Sequence, residues 1–389
     1  MASYRAGCFA KYLPENGWQP TVLCQDWPKG SPDYDPEFVG ALPSSVEVIR
    51  VPIPKLAGFS DRVVLRKIMP YFWAHRVPIP WWQRARRELL VQLKRTRFDA
   101  TWGTSDPMSP LALAEEAAAR IPCRWVADLR DSFNVQRFGS WYKRPFFAAQ
   151  ERRLCRRADA VTTVSNGLAE VIQQRTGRPV QVIHNGFDPE LFTGAVAPEK
   201  RVFRIVYAGK LVWPMQNPQP LLQALDLCLS SGRIPRAELE LAFYGSDLDR
   251  FAKAVPGLLD RLPVRSCPRV PHEQIIQVLK SSAVLLLLSH PHEKGVLTGK
   301  LFDYLATGRP ILAVPDDRGD VSALLHRTGA GLSLSQAPAI ADQLAAWYQA
   351  WKAGAPLLTT RNEPEIARYS RREQTKTLAA LLETLATKA

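Results

Sequence analysis

The segment Ala283–Val314, AVLLLLSHPHEKGVLTGKLFDYLATGRPILAV, has the pattern of one complete strand–helix–strand unit. Its first run, AVLLLL, has the length and uniform apolarity of a strand that is buried on both faces. A polar, Gly-rich loop leads to Gly299, where a helix begins, and Gly308 is a typical residue at a helix end. The run PILAV then starts a second strand. Two strands joined through a helix predict a parallel sheet with helices packed on its faces.

The same alternation of strand-like and helix-like runs extends along nearly all 389 residues. The predicted strands of the first half are QPTVLCQ, VEVIRVP, DATWGTS, CRWVADLRD, AVTTVS and VQVIHNG, and those of the second half are FRIVYAG, LELAFYG, AVLLLLS, PILAVP and AGLSLS. A chain of this length is too long for one core, which favours two domains. We therefore predict an α/β fold of two doubly wound, Rossmann-like domains facing a cleft.

The loop Asp188–Arg201 is rich in turn residues and is the predicted linker between the domains. The N-terminal domain then covers residues 1–190, and the C-terminal domain covers residues 200–365. A final helix within residues 366–389 has apolar residues at helical spacing, and we expect it to pack across both domains. Ligands are expected at the carboxyl ends of the strands, where loops meet helix N-termini.

The composition argues against several classes of protein. No run approaches the roughly 20 apolar residues that span a bilayer. The six cysteines are scattered, without CxxC pairs or histidine clusters at zinc spacing, which indicates reduced thiols in a cytoplasmic protein. The formal net charge is +14. A charge of this size implies an acidic partner, which could be a nucleic acid, an anionic lipid or a phosphorylated substrate.

Much of the positive charge lies in the segment Asp61–Arg97, where Arg and Lys alternate with aromatic residues. The aromatic residues are Tyr71, Phe72, Trp73, Trp81 and Trp82. Aromatic rings favour the membrane interface and cations favour anionic headgroups, so one interpretation is a peripheral contact with an anionic membrane. The alternative is a pair of solvated helices whose aromatic side chains lie in the core.

The helix start at Gly299 is a candidate anion site. Its first N–H groups have no partner within the helix, and the helix dipole is positive there. Lys300 adds a charge in the first turn, and Asp303 follows one turn later on a nearby face. A cation for a diphosphate and a carboxylate for ribose hydroxyls suit a nucleotide. The alternative is an ordinary ion pair between Lys300 and Asp303 on a solvated helix.

Six motifs, in chain order, carry a family resemblance. They are TSDPMSP, VADLRDSF, ADAVTTVSNGLAEVI, VIHNGFDPELF, IVYAGKL and GKLFDYLATGRPIL. The set resembles the GT-B glycosyltransferases of the family 4 type. The first two motifs resemble the N-terminal domain of bacterial members that act in polysaccharide or lipopolysaccharide assembly. The resemblance covers nearly the whole chain.

This resemblance implies a retaining glycosyltransferase. A nucleotide-sugar donor would bind the C-terminal domain, and a glycan or lipid-linked acceptor would bind the N-terminal domain. Such enzymes generally use no metal ion or cofactor, because basic side chains and a helix N-terminus neutralise the leaving diphosphate. We therefore expect no metal at DDRGD, Asp316–Asp320, where Asp320 is expected to cap a helix. The protein would be cytoplasmic, with peripheral binding to the inner face of the plasma membrane.

The resemblance also assigns residues to the donor. Lys210 stands where the family often has a phosphate-binding arginine, and Gln216 takes the place of a second basic residue. Asp303 matches the second carboxylate of the family's spaced pair, while Gly295 stands where the first is expected. The predicted donor-binding residues are Gly209, Lys210, Gly245, Arg269, Val270, Gly295, Val296, Leu297, Thr298, Gly299, Lys300, Leu301 and Asp303.

Within this set, Gly245, Arg269 and Val270 are expected to border the base. For the reaction itself, the motif DLRD places Arg130 and Asp131 at the end of a strand, and both are predicted catalytic residues. Asp131 is expected to act near the acceptor or the sugar. The alternative for this motif is a structural Arg–Asp network.

Three other functions stay open at this stage. A nucleotide-sugar 2-epimerase shares the two-domain scaffold, but it needs paired carboxylates and histidine in its site, and the sequence offers a poor set. A nucleic-acid-binding protein would explain the charge, but no such motif is present, so no nucleic acid partner is expected. A degenerate transferase without activity is consistent with Gly295 and Gln216.

The N-terminal sequence departs from the pattern of the family. MASYRAGCFAKYL begins where the resemblance places a Gly-rich loop that follows a central strand. Without that strand, its two neighbours would lack backbone partners. We therefore expect an upstream start or a truncated form.

Overall fold

The chain divides into two units in the computed structural model. The first unit contains Met1–His184 and Arg371–Ala389, and the second contains Asn185–Ser370. The second unit is therefore inserted into the chain of the first. The structure describes residues 2–27, 42–52, 79–105, 108–131, 144–291 and 293–387.

Strands and helices alternate in the first unit. Up to residue 184, its described elements, apart from a 3₁₀ turn at Pro14–Asn16, are α1 (Ala2–Tyr12), β1 (Thr21–Asp26), β2 (Glu47–Pro52), α2 (Ile79–Arg95), β3 (Ala100–Thr104), α3 (Ser109–Ala118), β4 (Arg124–Leu129), α4 (Arg144–Arg157), β5 (Ala160–Thr163), α5 (Asn166–Thr176) and β6 (Gln181–Val182). In the described residues they form two parallel sheets, β1–β2 and β3–β4–β5–β6.

A buried ion pair fastens α1 to the larger of these sheets. The Arg5 guanidinium donates two hydrogen bonds of 3.0 Å to the carboxylate of Asp128 in β4, and neither side chain is more than 1% exposed. Arg5 also donates to two backbone carbonyls just after β6, and the hydroxyls of Thr104 and Thr162 donate to Asp128. The first aspartate of the DLRD motif thus belongs to a structural network, and its partner is Arg5.

The second unit repeats the alternation. Apart from 3₁₀ turns at Pro189–Phe192 and Arg236–Glu238, its elements are β7 (Phe203–Ala208), α6 (Gln219–Ser230), β8 (Leu239–Tyr244), α7 (Asp249–Ala252), β9 (Val264–Cys267), α8 (His272–Ser281), β10 (Val284–Leu288), α9 (Gly299–Ala306), β11 (Ile311–Val314), α10 (Asp320–Thr328), β12 (Gly331–Ser333), α11 (Ala337–Lys352) and α12 (Glu363–Ala367). They build one parallel sheet in the order β12-β11-β10-β7-β8-β9.

Burial on both faces explains the uniformly apolar sequence of β10. Leu286 and Leu288 pack in one core cluster, and Leu285 and Leu287 pack in the cluster on the other face. Successive side chains of a strand point to opposite faces, so a sheet covered by helices on both sides needs apolar residues at every position. The prediction of a doubly wound α/β fold is confirmed.

The last helix, α13 (Arg371–Ala386), belongs to the first unit. Its Leu378 and Leu382 pack in one cluster with Phe9 of α1 and Val126 of β4. The first and last helices of the described chain are thus neighbours within one unit.

The basic aromatic segment is described only from Ile79 onwards, in α2 and the residues after it, and its first three aromatic residues lie outside the described part. Trp81 is buried and donates a 2.9 Å hydrogen bond from its indole N–H to the Val51 carbonyl, so this ring is part of the core. The opposite face of α2 exposes four cations: Arg84, Arg87, Lys94 and Arg95. None of the described helices is long and apolar enough to span a membrane.

We predict that Arg5→Met lowers the free energy of unfolding by about 3 kcal/mol, because the Asp128 carboxylate then stays buried without its partner. Urea unfolding followed by tryptophan fluorescence measures the change. The matched control is Lys376→Met, which removes the exposed Lys376–Glu373 pair of α13 and should cost less than about 1 kcal/mol. Equal effects of the two substitutions would contradict the structural role given to Arg5.

Candidate functional site

The strand order of the second sheet reverses between β10 and β7. Crossovers run outward from β7 to β9 on one side and from β10 to β12 on the other. At such a switch point the loops after the two strands separate, and ligands of doubly wound sheets bind in the resulting crevice at the strands' carboxyl ends. The loops after β7 and β10 contain Gly209–Lys210 and Gly295–Thr298, which are among the residues predicted to bind the donor.

Lys300, in the first turn of α9, reaches from the β10 side of the switch point to β7. Its ammonium donates a hydrogen bond of 2.7 Å to the hydroxyl of Tyr207 and lies 4.0 Å from the centre of that ring. Burial lowers the pKa of Lys300 to about 7. A Cβ on Gly209 would lie 3.1 Å from the Lys300 Nζ, and Gly209 has a φ of +114°, so this turn requires glycine.

Gln216 braces the loop after β7. Its Oε1 lies 3.1 Å from the Tyr207 hydroxyl and accepts a 3.0 Å hydrogen bond from the Val212 N–H. Its amide donates to the carbonyl of Leu288 at the end of β10, and the whole side chain is buried. At the position where the resemblance places a second cation, the chain therefore has a structural amide that ties the two sides of the switch point together.

The loops after β7, β8 and β9 hold one another in place. The Gly209 N–H donates to the Tyr244 carbonyl at 2.8 Å, and the hydroxyl of Ser246 donates to the Gly209 carbonyl at 2.6 Å. Gly245 has a φ of +73°, and a Cβ added to it would lie 3.5 Å from the Cβ of Arg269. Gly209, Gly245 and Arg269 are thus brought to one edge of the sheet.

The predicted residues before α9 differ in how they are placed. Gly295 has a positive φ of 81°, and Val296 is half-buried. Leu297 and Leu301 are buried in the core. Thr298 is the N-cap residue with an extended backbone, and its carbonyl accepts from the N–H of Leu301 at 3.1 Å. The first two N–H groups of α9, those of residues 299 and 300, have no acceptor within the helix.

Asp303 faces α8. Its Oδ2 lies 3.6 Å from Nε2 of His272, a residue to which the sequence reasoning gave no role. Arg269 and Val270 precede His272; the first is exposed and the second is half-buried. Lys210, in the loop after β7, is exposed. The two charges of the opening motif of α9 therefore have different neighbours: the lysine lies against β7 and the aspartate lies beside α8.

Arg130 and Asp131, the predicted catalytic residues, belong to the first unit and follow β4. The Arg130 N–H donates to the Ser105 hydroxyl at 3.1 Å, and the Arg130 side chain donates to the Ser105 carbonyl. Arg130 is therefore held against the end of β3, and Asp131 is half-buried next to it.

The aspartates after β11 bind backbone. The Asp317 carboxylate accepts hydrogen bonds from the N–H groups of Val321 and Ser322, both at 3.0 Å. The Asp316 carboxylate accepts one from the N–H of Arg318. The expected helix cap, Asp320, is wrong: it is the first helical residue of α10, and the capping carboxylate is that of Asp317. In the described parts of the chain, no group of three His, Cys, Asp or Glu side chains could hold a metal ion.

Residues 5–191 match the family model described as Glycosyltransferase Family 4. No curated protein matches the sequence. Among solved structures, a glycosyltransferase from Rickettsia africae shares 12% identity and a TM-score of 0.67, covering 100% of this chain and 96% of its own. HepE from Anabaena, solved with UDP and glucose, shares 14% identity and a TM-score of 0.59, covering 100% and 94%. Trehalose 6-phosphate synthase from Burkholderia multivorans shares 13% identity and a TM-score of 0.58, covering 95% and 99%.

The structural likenesses, at identities of 12–14%, establish the fold. The family match is independent of them and covers just under half of the chain. Together they confirm the resemblance first seen in the six motifs. The chain has the GT-B fold, and its residues 5–191 form a glycosyltransferase family 4 domain.

Proposed function

We propose that this chain transfers a sugar from a nucleotide-sugar donor to a glycan or lipid-linked acceptor. The observation that carries the proposal is the ammonium of Lys300 beside Gly209 at the switch point of the second sheet. A half-buried cation at the carboxyl ends of parallel strands fits the diphosphate of a nucleotide. HepE, which has the same fold, was solved with UDP, and this supports a nucleotide-sugar as co-substrate.

The diphosphate would be held by two kinds of donor, lysine ammonium groups and backbone N–H groups. Lys300 and the exposed Lys210 supply cations from opposite sides of the switch point, and the first N–H groups of α9 point along a favourable dipole. Asp303, with His272 beside it, would accept hydrogen bonds from the ribose hydroxyls. These donors neutralise the phosphate charge without a metal ion or cofactor.

We propose that the reaction retains the anomeric configuration. The acceptor oxygen bonds to the anomeric carbon as the bond from that carbon to the diphosphate oxygen breaks. The acceptor's hydroxyl proton passes to the leaving phosphate oxygen, so no separate general base is needed. Asp131, with Arg130 fixed beside it by Ser105, would contact the acceptor or the transferred sugar.

We propose that the protein acts in cell-surface polysaccharide assembly and meets its acceptor at the inner face of the plasma membrane. This proposal is supported by the exposed cations of α2, which are Arg84, Arg87, Lys94 and Arg95. Cations on one helix face bind anionic headgroups, each contributing about 1 kcal/mol near the surface. Trp81 is buried in the core, so the contact of α2 with lipid would be electrostatic.

We predict that one nucleotide raises the melting temperature of the protein. The panel to be tested contains the diphosphates UDP, GDP and ADP and the monophosphate CMP. At a concentration about 100 times its dissociation constant, the stabilising nucleotide adds roughly 2.7 kcal/mol of stability. Lys300→Met should weaken this binding about 10-fold or more, because a charge-assisted hydrogen bond is lost.

The control is Lys253→Met, which removes an exposed lysine of the same unit and should bind like the wild type. With the matching sugar nucleotide, mass spectrometry should detect a glycosylated acceptor. Nucleotide binding without any transfer, over a range of acceptors, would instead indicate a degenerate transferase. Failure of every nucleotide to bind would refute the proposed function.

We predict that nucleoside diphosphate binding weakens as the pH rises from 7.5 to 9, by up to about 10-fold per pH unit. In the free protein the Lys300 pKa is about 7, so above that pH the side chain must take up a proton when the anion binds. Burial raises the pKa of the neighbouring Tyr207 and Tyr304, so both stay neutral in this range.

Isothermal titration calorimetry at several pH values measures this dependence. Lys253→Met should keep the wild-type slope, and Lys300→Met should show a flat profile. An unchanged slope in Lys300→Met would show that another group titrates.

We predict that the protein sediments with vesicles containing 30% phosphatidylglycerol at low salt and is released at high salt, since screening weakens such contacts. The Arg84, Arg87, Lys94 and Arg95 to Gln variant should lose most of this binding. A control with four exposed cations of the second unit changed to Gln, namely Lys200, Arg201, Lys253 and Arg261, removes the same charge and should bind normally. Equal losses in both variants would exclude a specific role for α2.

A further inference from the structure

The position of Lys300 needs a physical explanation. A lysine has a flexible four-carbon stem and a strongly hydrated ammonium, so it usually extends into water. Here the side chain lies against β7, where it is desolvated enough to lower its pKa to about 7. Some favourable contact must offset the lost hydration and the lost side-chain freedom.

Tyr207 supplies that contact. Within the described part of the chain, its hydroxyl is the only hydrogen-bond acceptor of the Lys300 ammonium, at 2.7 Å, and its ring lies under the same charge at 4.0 Å. No acidic side chain shifts the pKa of Lys300; desolvation is the cause. The attraction is therefore to a neutral partner, and it leaves the positive charge uncompensated.

The Tyr207 side chain is itself fixed. It is fully buried in β7, and its hydroxyl lies 3.0 Å from the Lys210 carbonyl and 3.1 Å from Gln216 Oε1. The hydroxyl can donate its one proton to either oxygen while it accepts from Lys300. An ammonium has three N–H donors, so this contact leaves two of them for another ligand.

We propose that Tyr207 is a positioning residue for Lys300: its ring and hydroxyl hold the ammonium beside Gly209, ready to bind the donor diphosphate. The identity of the anion rests on the function proposed above. The placement of Lys300 by Tyr207 stands on the geometry alone. A neutral holder suits this task, because a carboxylate in the same place would neutralise the charge that the anion needs.

The test is a double-mutant cycle with Tyr207→Phe and Lys300→Met, in which the dissociation constant of the stabilising nucleotide is measured by calorimetry. Phe keeps the buried ring and removes only the hydroxyl. Tyr207→Phe alone should weaken binding about 10-fold, the usual effect of losing a hydrogen bond to a charged group. In the Lys300→Met background the same change should have less than about a 2-fold effect. An equal loss in both backgrounds would mean that Tyr207 only supports the fold, and would overturn the proposal.

Tyr304→Phe is the matched control. Tyr304 is also fully buried, and its hydroxyl accepts a 2.9 Å hydrogen bond from the Ala208 N–H at the end of β7, so its loss disturbs the same strand without touching the ammonium. Tyr304→Phe should change binding by the same factor with and without Lys300. A dependence on Lys300 as large as that of Tyr207→Phe would contradict the specific role of Tyr207.

A second measurement needs no nucleotide. Trace acetylation of the protein over a range of pH, followed by mass spectrometry of the peptide containing Lys300, gives the titration midpoint of this amine. In Tyr207→Phe the released side chain should titrate nearer to the ordinary value for lysine. A midpoint that is unchanged or lower would show that other contacts hold Lys300 in place, and would refute the proposal. This readout decides the matter even if no nucleotide binds and the proposed function fails.

Discussion

The parallel pairing of β10 with β7, with Val284 opposite Ile205, is the constraint on which the second unit depends. These two strands are far apart in sequence, yet they lie side by side at the centre of the sheet. Their pairing fixes where the crossovers reverse direction, and it sets the loops after both strands at one edge. The glycines at residues 209 and 295, the helix α9 and its lysine take their places from this pair of strands.

The candidate site combines loops braced by hydrogen bonds with the desolvated cation of Lys300. Gln216 joins the β7 loop to the end of β10. Gly209 is hydrogen-bonded through its N–H to Tyr244, at the end of β8, and through its carbonyl to Ser246 in the following loop. Fixed loops lower the cost of ordering a ligand, because little freedom is lost on binding. The desolvated Lys300 is the less stable part of the arrangement. Such a charge interacts strongly with an entering anion, because little water screens it.

The sequence predicted the fold well, because its strongest signals arise from burial. AVLLLL has the length and uniform apolarity of a strand covered on both faces, and β10 has that place in the sheet. Strand β9 was missed, since it is a short edge strand with exposed residues and lacks an apolar run. The motif around Gly299 predicts an anion site through its order of loop, glycine and lysine.

The side-chain contacts within the candidate site could not be predicted from the sequence in the same way. Gln216 was interpreted as a missing cation, but its amide is occupied by backbone groups that only the folded loop brings near. Asp128 pairs with Arg5, which is 123 positions away. Tyr207 is the next-to-last residue of β7, and a buried tyrosine hydroxyl usually finds a hydrogen-bond partner, so the sequence did carry a signal there. It did not say that the partner would be Lys300.

The first and last residues of the second unit lie close together, and this has a consequence for how such proteins could diversify. Phe187 and Ser370 form a parallel bridge, and the Phe187 N–H donates to the Tyr369 carbonyl at 3.2 Å. The two ends of the inserted segment are therefore held side by side. A foreign segment with equally close ends could replace it through two neighbouring junctions, while α1 and α13 remain together in the first unit. Recombination could thus exchange one half of the enzyme as a cassette and leave the hydrophobic core of the other half intact.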